Sequence, residues 1–275
     1  MKITHQNCTL DLSTPQIMGI LNITPDSFSD SGKFYQLDNA LFHAEQMLAD
    51  GATIIDIGGE STRPMAAEVS LEEELNRVVP LVDAVRQRFD CWISVDTSKA
   101  QVMREAAKVG MNLINDIRAL TEENALQTAV ELDMPVCIMH MQGQPRTMQH
   151  NPHYQDVVQE VLDYLLQRAQ ACISAGIKPV HLILDPGFGF GKNVRHNYQL
   201  LQQLNLFCQY GYPVLVGLSR KSMIGQVLDK AVEQRMVGSV AATLLAAING
   251  ATILRVHDVA AMSDALKIWQ AMQNA

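Results

Sequence analysis

The sequence predicts an α/β chain, a single (β/α)8 barrel with an N-terminal strand or hairpin extension. Three observations point there. Eight short apolar runs alternate with longer stretches of helical period. Most of these runs are apolar on both faces, as strands covered by helices must be. The length of 275 residues suits one domain spanning the whole chain, because such barrels run to about 250 residues. An open doubly wound sheet is the alternative.

The elements follow in order. Residues 1–12, MKITHQNCTLDL, alternate polar and apolar and read as an added strand or hairpin closing the barrel's N-terminal end. Strands are expected over residues 17–22, 53–58, 92–96, 113–116, 136–140, 182–185, 214–217 and 253–256. Ser70 with Glu73 forms a capping box ahead of a helix over 71–89, which Pro80 should kink. Ser98 is placed to cap the next helix, and Gly110 to end it in the left-handed region. Tyr154, Val157, Val158, Val161, Leu162, Leu165, Ala169, Cys172 and Ile173 form one apolar stripe, stopped by Gly176. The alanine-rich 238–250 should pack closely on the sheet. No linker or low-complexity tract interrupts the pattern, and the repetition is structural rather than a short sequence repeat.

Bulk properties narrow the function classes. A net charge of −8 and a pI near 5.4 argue against a nucleic-acid binder. Any phosphate site must therefore be built from a few local cations. The N-terminus lacks the basic and apolar regions of a signal peptide. No apolar run reaches the roughly 20 residues of a membrane span, so a soluble cytoplasmic protein is expected. Cys8, Cys91, Cys137, Cys172 and Cys208 are scattered, contain no CxxC pair, and read as small hydrophobes in a reducing compartment. His5 and Cys8 have a ligand-like spacing without a second pair.

Polar residues gather at the predicted strand ends. The first strand ends at Asn22, followed by Thr24-Pro25-Asp26-Ser27-Phe28-Ser29-Asp30. The second runs into Gly58-Gly59-Glu60-Ser61-Thr62-Arg63-Pro64. Later strands end at Asp96, at Asn115 and Asp116, at His140 and at Asp185; the last two lead to Ser219-Arg220-Lys221 and to Arg255 and His257. One such residue could be a turn or cap. Eight sets on one face point to a site, because barrel enzymes place theirs at the C-terminal strand ends. Arg63, Lys221, Arg255 and His257 can supply a cationic pocket for phosphates. Asp96, Asn115 and Asp185 offer directional groups suited to a flat polar heterocycle, with Phe188, Phe190 and Met139 to flank it. Asp56, inside the second strand, reads as an interior hydrogen-bonding residue, and Glu60 as a brace for the following loop.

Two motifs carry less than they suggest. Gly187-Phe188-Gly189-Phe190-Gly191-Lys192 has neither Walker spacing nor the GxGxxG pattern, and reads as a flexible, backbone-exposed loop that shapes the pocket. His140, His150 and His153 lack HExxH spacing, which argues against zinc.

The segments MGILNITPDSFSDSG (18–32), GATIIDIGGESTRP (51–64), ISVDTSKAQVMREAAKVG (93–110), LINDI (113–117), PVCIMHMQGQPRTMQ (135–149), ILDPGFGFGKN (183–193), LVGLSRKSMIG (215–225) and RVHD (255–258) resemble bacterial dihydropteroate synthases along essentially the whole chain. The resemblance implies condensation of a pterin methyl diphosphate with 4-aminobenzoate, Mg2+ as cofactor, sulfonamides as inhibitors, and a homodimer through helices distant from the mouth. It implies a pterin site of Asp96, Asn115, Asp185, Lys221, Met139 and Phe190. It implies diphosphate contacts from Asn22, Arg63, Arg255 and His257, with Asn22 the protein ligand to Mg2+. The implied 4-aminobenzoate pocket is Phe28, Thr62, Arg63, Pro64, Phe190, Ser219 and Lys221. Asp30, Arg63, Asp96 and Lys221 are the expected catalytic set. Phe28 and Asp30 belong to a first mobile loop that closes with a second, residues 61–67. The chain departs from the family at Met65 and Ser31, where glycine is common. A pterin-dependent methyltransferase barrel with a corrinoid partner, and a non-catalytic pterin-binding module, are the rival readings. SRKS and STRP favour the synthase over the first; the full set of diphosphate contacts favours it over the second.

Overall fold

Short runs rich in Ile, Val and Leu form the strands, and longer stretches of helical period cover them, in a computed structural model describing residues 1–23, 33–60, 69–144 and 147–275, with the backbone alone at 33–36. β1 (Lys2–His5) and β2 (Cys8–Asp11) form an antiparallel hairpin in which Ile3 faces Leu10. Then come β3 (Gln16–Asn22), α1 (Lys33–Ala49), β4 (Ile54–Gly58), α2 (Leu71–Arg88), β5 (Trp92–Asp96), α3 (Ala100–Lys108), β6 (Leu113–Asp116) and α4 (Ala125–Glu131). β7 (Val136–Met139), α5 (Val157–Ala175), β8 (Leu182–Asp185), α6 (Val194–Gln202), β9 (Leu215–Val216), α7 (Ser222–Leu228), α8 (Met236–Ile248), β10 (Ile253–Val256) and α9 (Val259–Gln273) complete the chain.

β3 to β10 form one parallel sheet in the order β8-β7-β6-β5-β4-β3-β10-β9. A bridge between Leu184 and Val214 brings β9 back to β8, and Leu184 N–H donates to Pro213 O at 2.9 Å. The sheet therefore closes into the expected (β/α)8 barrel. β9 is shorter than the 214–217 expected; Val214 lies just before it, bridging to Leu184 on one side and accepting from the N–H groups of Thr252 and Ile253 on the other.

Side chains alternate between the two faces of each strand, and this sorts the core into two bodies. Ile55, Ile57, Ile93, Val95, Ile114, Ile138, Leu184, Val216 and Leu254 face the helices. Met18, Ile54, Trp92, Leu113, Cys137, Ile183, Leu215 and Ile253, one per strand, form a buried layer inside the barrel, and Ile3, Leu10 and Leu12 of the N-terminal segment pack onto it. The hairpin thus plugs the N-terminal end, as expected.

Local signals mostly hold. Glu73 N–H donates to Ser70 Oγ at 3.2 Å, but the Glu73 carboxylate pairs with Arg77, so only half the capping box forms. α2 continues through Pro80. Gly110 and Gly176 take positive φ after α3 and α5, and the α5 stripe is buried from Val157 to Cys172. Ser98 does not cap α3: its hydroxyl donates to Asp116 Oδ1, and Lys99 occupies the cap position without a side-chain capping bond. All five cysteines are free. Among the described residues no helix is long and apolar enough to cross a membrane.

Candidate active site at the C-terminal mouth of the barrel

Two residues beyond the apolar inner layer, the same inward-facing register turns polar: Asp56 follows Ile54, Ser94 follows Trp92, Asn115 follows Leu113, Asp185 follows Ile183 and Arg255 follows Ile253. Asp96 lies one step higher. These side chains form a linked group. Asp56 is fully buried and accepts from Ser94 Oγ at 2.6 Å, from Arg255 Nε at 2.6 Å and, more weakly, from Asn115 Nδ2 at 3.4 Å. Arg255 also donates to Asp96 Oδ2 at 3.0 Å. Burial pushes the Asp96 carboxyl well above the usual carboxylate range, and Arg255 only partly offsets this. Burial also works against the Arg255 charge, but Asp56 and Asp96 outweigh it and hold the guanidinium firmly protonated.

Asp185 and Lys221 form the opposite side. Gly187 N–H donates to Asp185 Oδ1 at 2.7 Å, and burial raises the Asp185 carboxyl against the pull of Lys221. Lys221 sits at the start of α7; its ammonium donates to Phe188 O and lies 4.6 Å from the centre of the Phe190 ring, a cation–π contact. Burial lowers its pKa to about 8 despite Asp185. Met139 and Phe190 join Met148, Ile117 and Met141 in a small apolar wall. Ser219 Oγ accepts from His257 N–H at 3.2 Å and lies 3.0 Å from His257 Nδ1. Asn22 is exposed at the end of β3, and a Cβ on Gly58 would come within 2.7 Å of its Oδ1, so glycine keeps that space open.

The structure brings Asn22, Asp96, Asn115, Met139, Asp185, Phe190, Ser219, Lys221, Arg255 and His257 to the mouth. Phe28, Asp30, Thr62, Arg63, Pro64 and Met65 lie outside the described residues. Several expectations need correction. Phe188 is buried in the helix-side core, not in the wall beside Met139. Asp116 faces the helices, where it accepts from Ser98 Oγ and from the N–H groups of Arg118 and Leu120. Residues 187–192 are largely buried rather than an exposed flexible loop, because Gly187 and Gly191 let it lie directly on the backbone of residues 140–142. Glu60 pairs with Lys99 at 2.7 Å, while the loop it was expected to brace lies outside the described residues. Asp56 is the interior hydrogen-bonding residue expected, and one of its partners is Arg255. Its signal was a lone acid in an otherwise apolar strand. Lys192 and His140 form a buried pair 2.9 Å apart that their separation in sequence conceals.

A family model described as "Pterin binding enzyme" matches residues 18–257. Over its whole length the chain is 72% identical to the dihydropteroate synthase of Haemophilus influenzae, covering 100% of both. The chain belongs to the dihydropteroate synthases. By that membership it is a transferase, and the methyltransferase and binding-module readings give way. Among solved structures, the dihydropteroate synthase of Yersinia pestis with a sulfonamide drug complex is 56% identical with a TM-score of 0.95, covering 100% of each chain. The dihydropteroate synthase of Xanthomonas albilineans in complex with 7,8-dihydropteroate is 45% identical with a TM-score of 0.90, again covering 100% of each.

Proposed function

We propose that this chain joins (7,8-dihydropterin-6-yl)methyl diphosphate to 4-aminobenzoate, forming 7,8-dihydropteroate and releasing diphosphate. The observation that carries the reading is the linked polar group of buried Asp56, Ser94, Asp96, Asn115 and Asp185 with half-buried Lys221 and Arg255, set above the apolar inner layer of the barrel. Groups buried this way cost stability unless they are paired. A flat heterocycle whose edge alternates donors and acceptors would match them.

The pterin would lie against Met139 and Phe190, with its edge on Asp96, Asn115, Asp185 and Lys221. Arg255 has five N–H groups, so it can serve its two carboxylates and an oxygen of the diphosphate together. His257, Arg63 and Asn22 would complete that anion site. Phe28, Thr62, Arg63, Pro64, Phe190, Ser219 and Lys221 would hold 4-aminobenzoate. Asp30 is assigned to the catalytic set with Arg63, Asp96 and Lys221.

The arylamine is neutral near pH 7 and needs no strong base before attack. Breaking the C–O bond is the demanding step. Departure of diphosphate leaves positive charge spread into the electron-rich pterin, an SN1-like course. Asp96 and Asp185 would stabilise that charge, while Arg255, His257 and Arg63 stabilise the departing anion. Loops closed over the site would keep water from capturing the cation.

The donor set fits magnesium. Asn22 offers one neutral oxygen with room beside it, and among the described residues no three His, Cys, Asp or Glu side chains gather as a metal site. Such a set suits a hard cation that keeps its waters and arrives with phosphate oxygens. Bound there, magnesium would neutralise charge on the leaving diphosphate. Calorimetry should find weak Mg2+ binding without diphosphate; tight binding to the protein alone would count against this.

A homodimer is supported by exposed Val237, Leu245 and Ile248 on α8 and Ile268 and Met272 on α9; light scattering tests it. The functional test is chromatography of the purified chain with both substrates and Mg2+. Dihydropteroate is expected, whereas methyl transfer to a corrinoid would overturn the reading.

A further inference from the structure

Lys192 ends the glycine-rich loop after β8 and is 2% exposed. Its Nζ turns back into the loop. It lies 2.9 Å from Gly187 O, 3.0 Å from Phe190 O, 3.4 Å from His140 O and 2.9 Å from His140 Nδ1. These partners are carbonyls and an imidazole, with no carboxylate among them. Backbone dipoles, not a counter-ion in contact, therefore offset the buried group. Burial lowers the lysine pKa well below its ordinary value and holds the His140 ring neutral. An ammonium would share its three N–H groups among the carbonyls and Nδ1; a neutral amine would donate to two carbonyls and accept from Nδ1–H. Both forms satisfy the same cage.

The carbonyls it gathers are informative. Gly187 O and Phe190 O are the two ends of one tight turn, closed by Phe190 N–H donating to Gly187 O at 3.1 Å. Inside that turn, Gly187 N–H holds Asp185, Phe188 O receives Lys221, and the Phe190 ring lies beneath the Lys221 ammonium. The third carbonyl and the imidazole belong to His140, directly after Met139 of β7. Other contacts hold the same stretch. Gly187, at φ +68, leaves no room for a Cβ against His140 O. Tyr154 Oη donates to Gly191 O at 2.8 Å, and Asn197 Oδ1 accepts from Gly189 N–H at 2.7 Å.

We propose that Lys192, backed by His140, is a positioning residue for the reaction: it ties the Gly187–Phe190 turn to the end of β7, so that the Phe188 carbonyl and the Phe190 ring receive the Lys221 ammonium beside Asp185. Lys192 itself touches no substrate. The inference rests on the reading of Asp185, Phe190 and Lys221 as the pocket given above.

The test compares Lys192→Met with the unmodified chain and with Ile3→Ala, a destabilising change at the opposite end of the barrel. Dihydropteroate formation is followed against 4-aminobenzoate concentration and pH, and folding by thermal unfolding. Lys192→Met should fold, raise KM for 4-aminobenzoate, and lower kcat/KM by about 10- to 100-fold, as small misplacements of binding groups do. Its alkaline limb should move upward, because Lys221 meets more water once the turn relaxes. Ile3→Ala should lower the melting temperature while leaving KM and the limb in place. A folded Lys192→Met with KM and limb like those of the unmodified chain would overturn the inference. If Lys192→Met does not fold, His140→Phe, which removes the imidazole behind Lys192 and leaves Lys221 and Asp185 in place, carries the same comparison, and unchanged values there overturn it equally. Absence of product from the unmodified chain is a separate outcome, which removes the functional reading and this inference with it.

Discussion

Asp96 stands in the fold against its own solvation. Burial raises its carboxyl from the ordinary 3.8, more than Arg255 lowers it. The stabilising protonated form is fully favoured below the unfolded pKa and is lost as pH rises through the higher folded value. Asp96→Asn should therefore unfold at a higher temperature than the unmodified chain above neutral pH, with the gap closing toward pH values near 4. It should also lose turnover by about 100-fold, a common cost of removing an electrostatic stabiliser, whereas Gln202→Ala on α6 leaves turnover intact. Equal turnover in the two variants would remove the assigned role of Asp96; a lower melting temperature for Asp96→Asn would show that the Arg255 pairing outweighs burial. Lys221 titrates in the opposite sense. Burial lowers it to about 8, so kcat/KM should fall as pH rises through that value and the cation is lost. Lys221→Arg keeps its charge, and its residual activity should persist to higher pH. The same alkaline limb in both proteins would assign that titration elsewhere.

The loop after β8 holds its neighbours through its backbone, Gly187 N–H on Asp185 and Phe188 O on Lys221. Gly187→Ala would place a Cβ onto the His140 carbonyl at a positive φ of 68°. Left-handed strain and overpacking together should cost about 2–4 kcal/mol, measured by denaturant unfolding; a loss near zero would mean that the loop does not need this path. Strand positions were legible because parallel strands under helices are apolar runs bounded by turns, and the hairpin was legible because residues 1–12 alternate. Which face each strand turns inward was not legible from the apolar residues, since both faces are buried. The polar residues did mark it: Asp56, Ser94, Asn115, Asp185 and Arg255 all lie two positions after an inner-layer residue. Their partners could not be read, because Asp56 and Arg255 are 199 residues apart and meet only on barrel closure. Ser98 misled for a related reason: its hydroxyl has a better acceptor in Asp116 of β6 than in the helix start beside it. The buried pair of Lys192 and His140 stayed hidden because a glycine-rich segment ending in lysine resembles a phosphate loop facing solvent.

At the scale of the whole molecule, the acidic chain separates two electrostatic tasks within one mouth. Among the described residues the floor sets Asp56, Asp96 and Asp185 against Arg255 and Lys221. That balance favours a ring that becomes positive. An anion of several charges needs more cations at the rim, the task proposed for Arg63 and His257. The apolar plug and the helix-side core hold this arrangement from below and outside, so the mouth can carry polar groups that cost stability. The measurement that tests the account most directly is paired quantification of diphosphate and dihydropteroate from purified protein given the pterin methyl diphosphate, with and without 4-aminobenzoate and Mg2+. Both products should rise together, one for one, and only when Mg2+ is present. Tight pterin binding with no dihydropteroate under those conditions would contradict it.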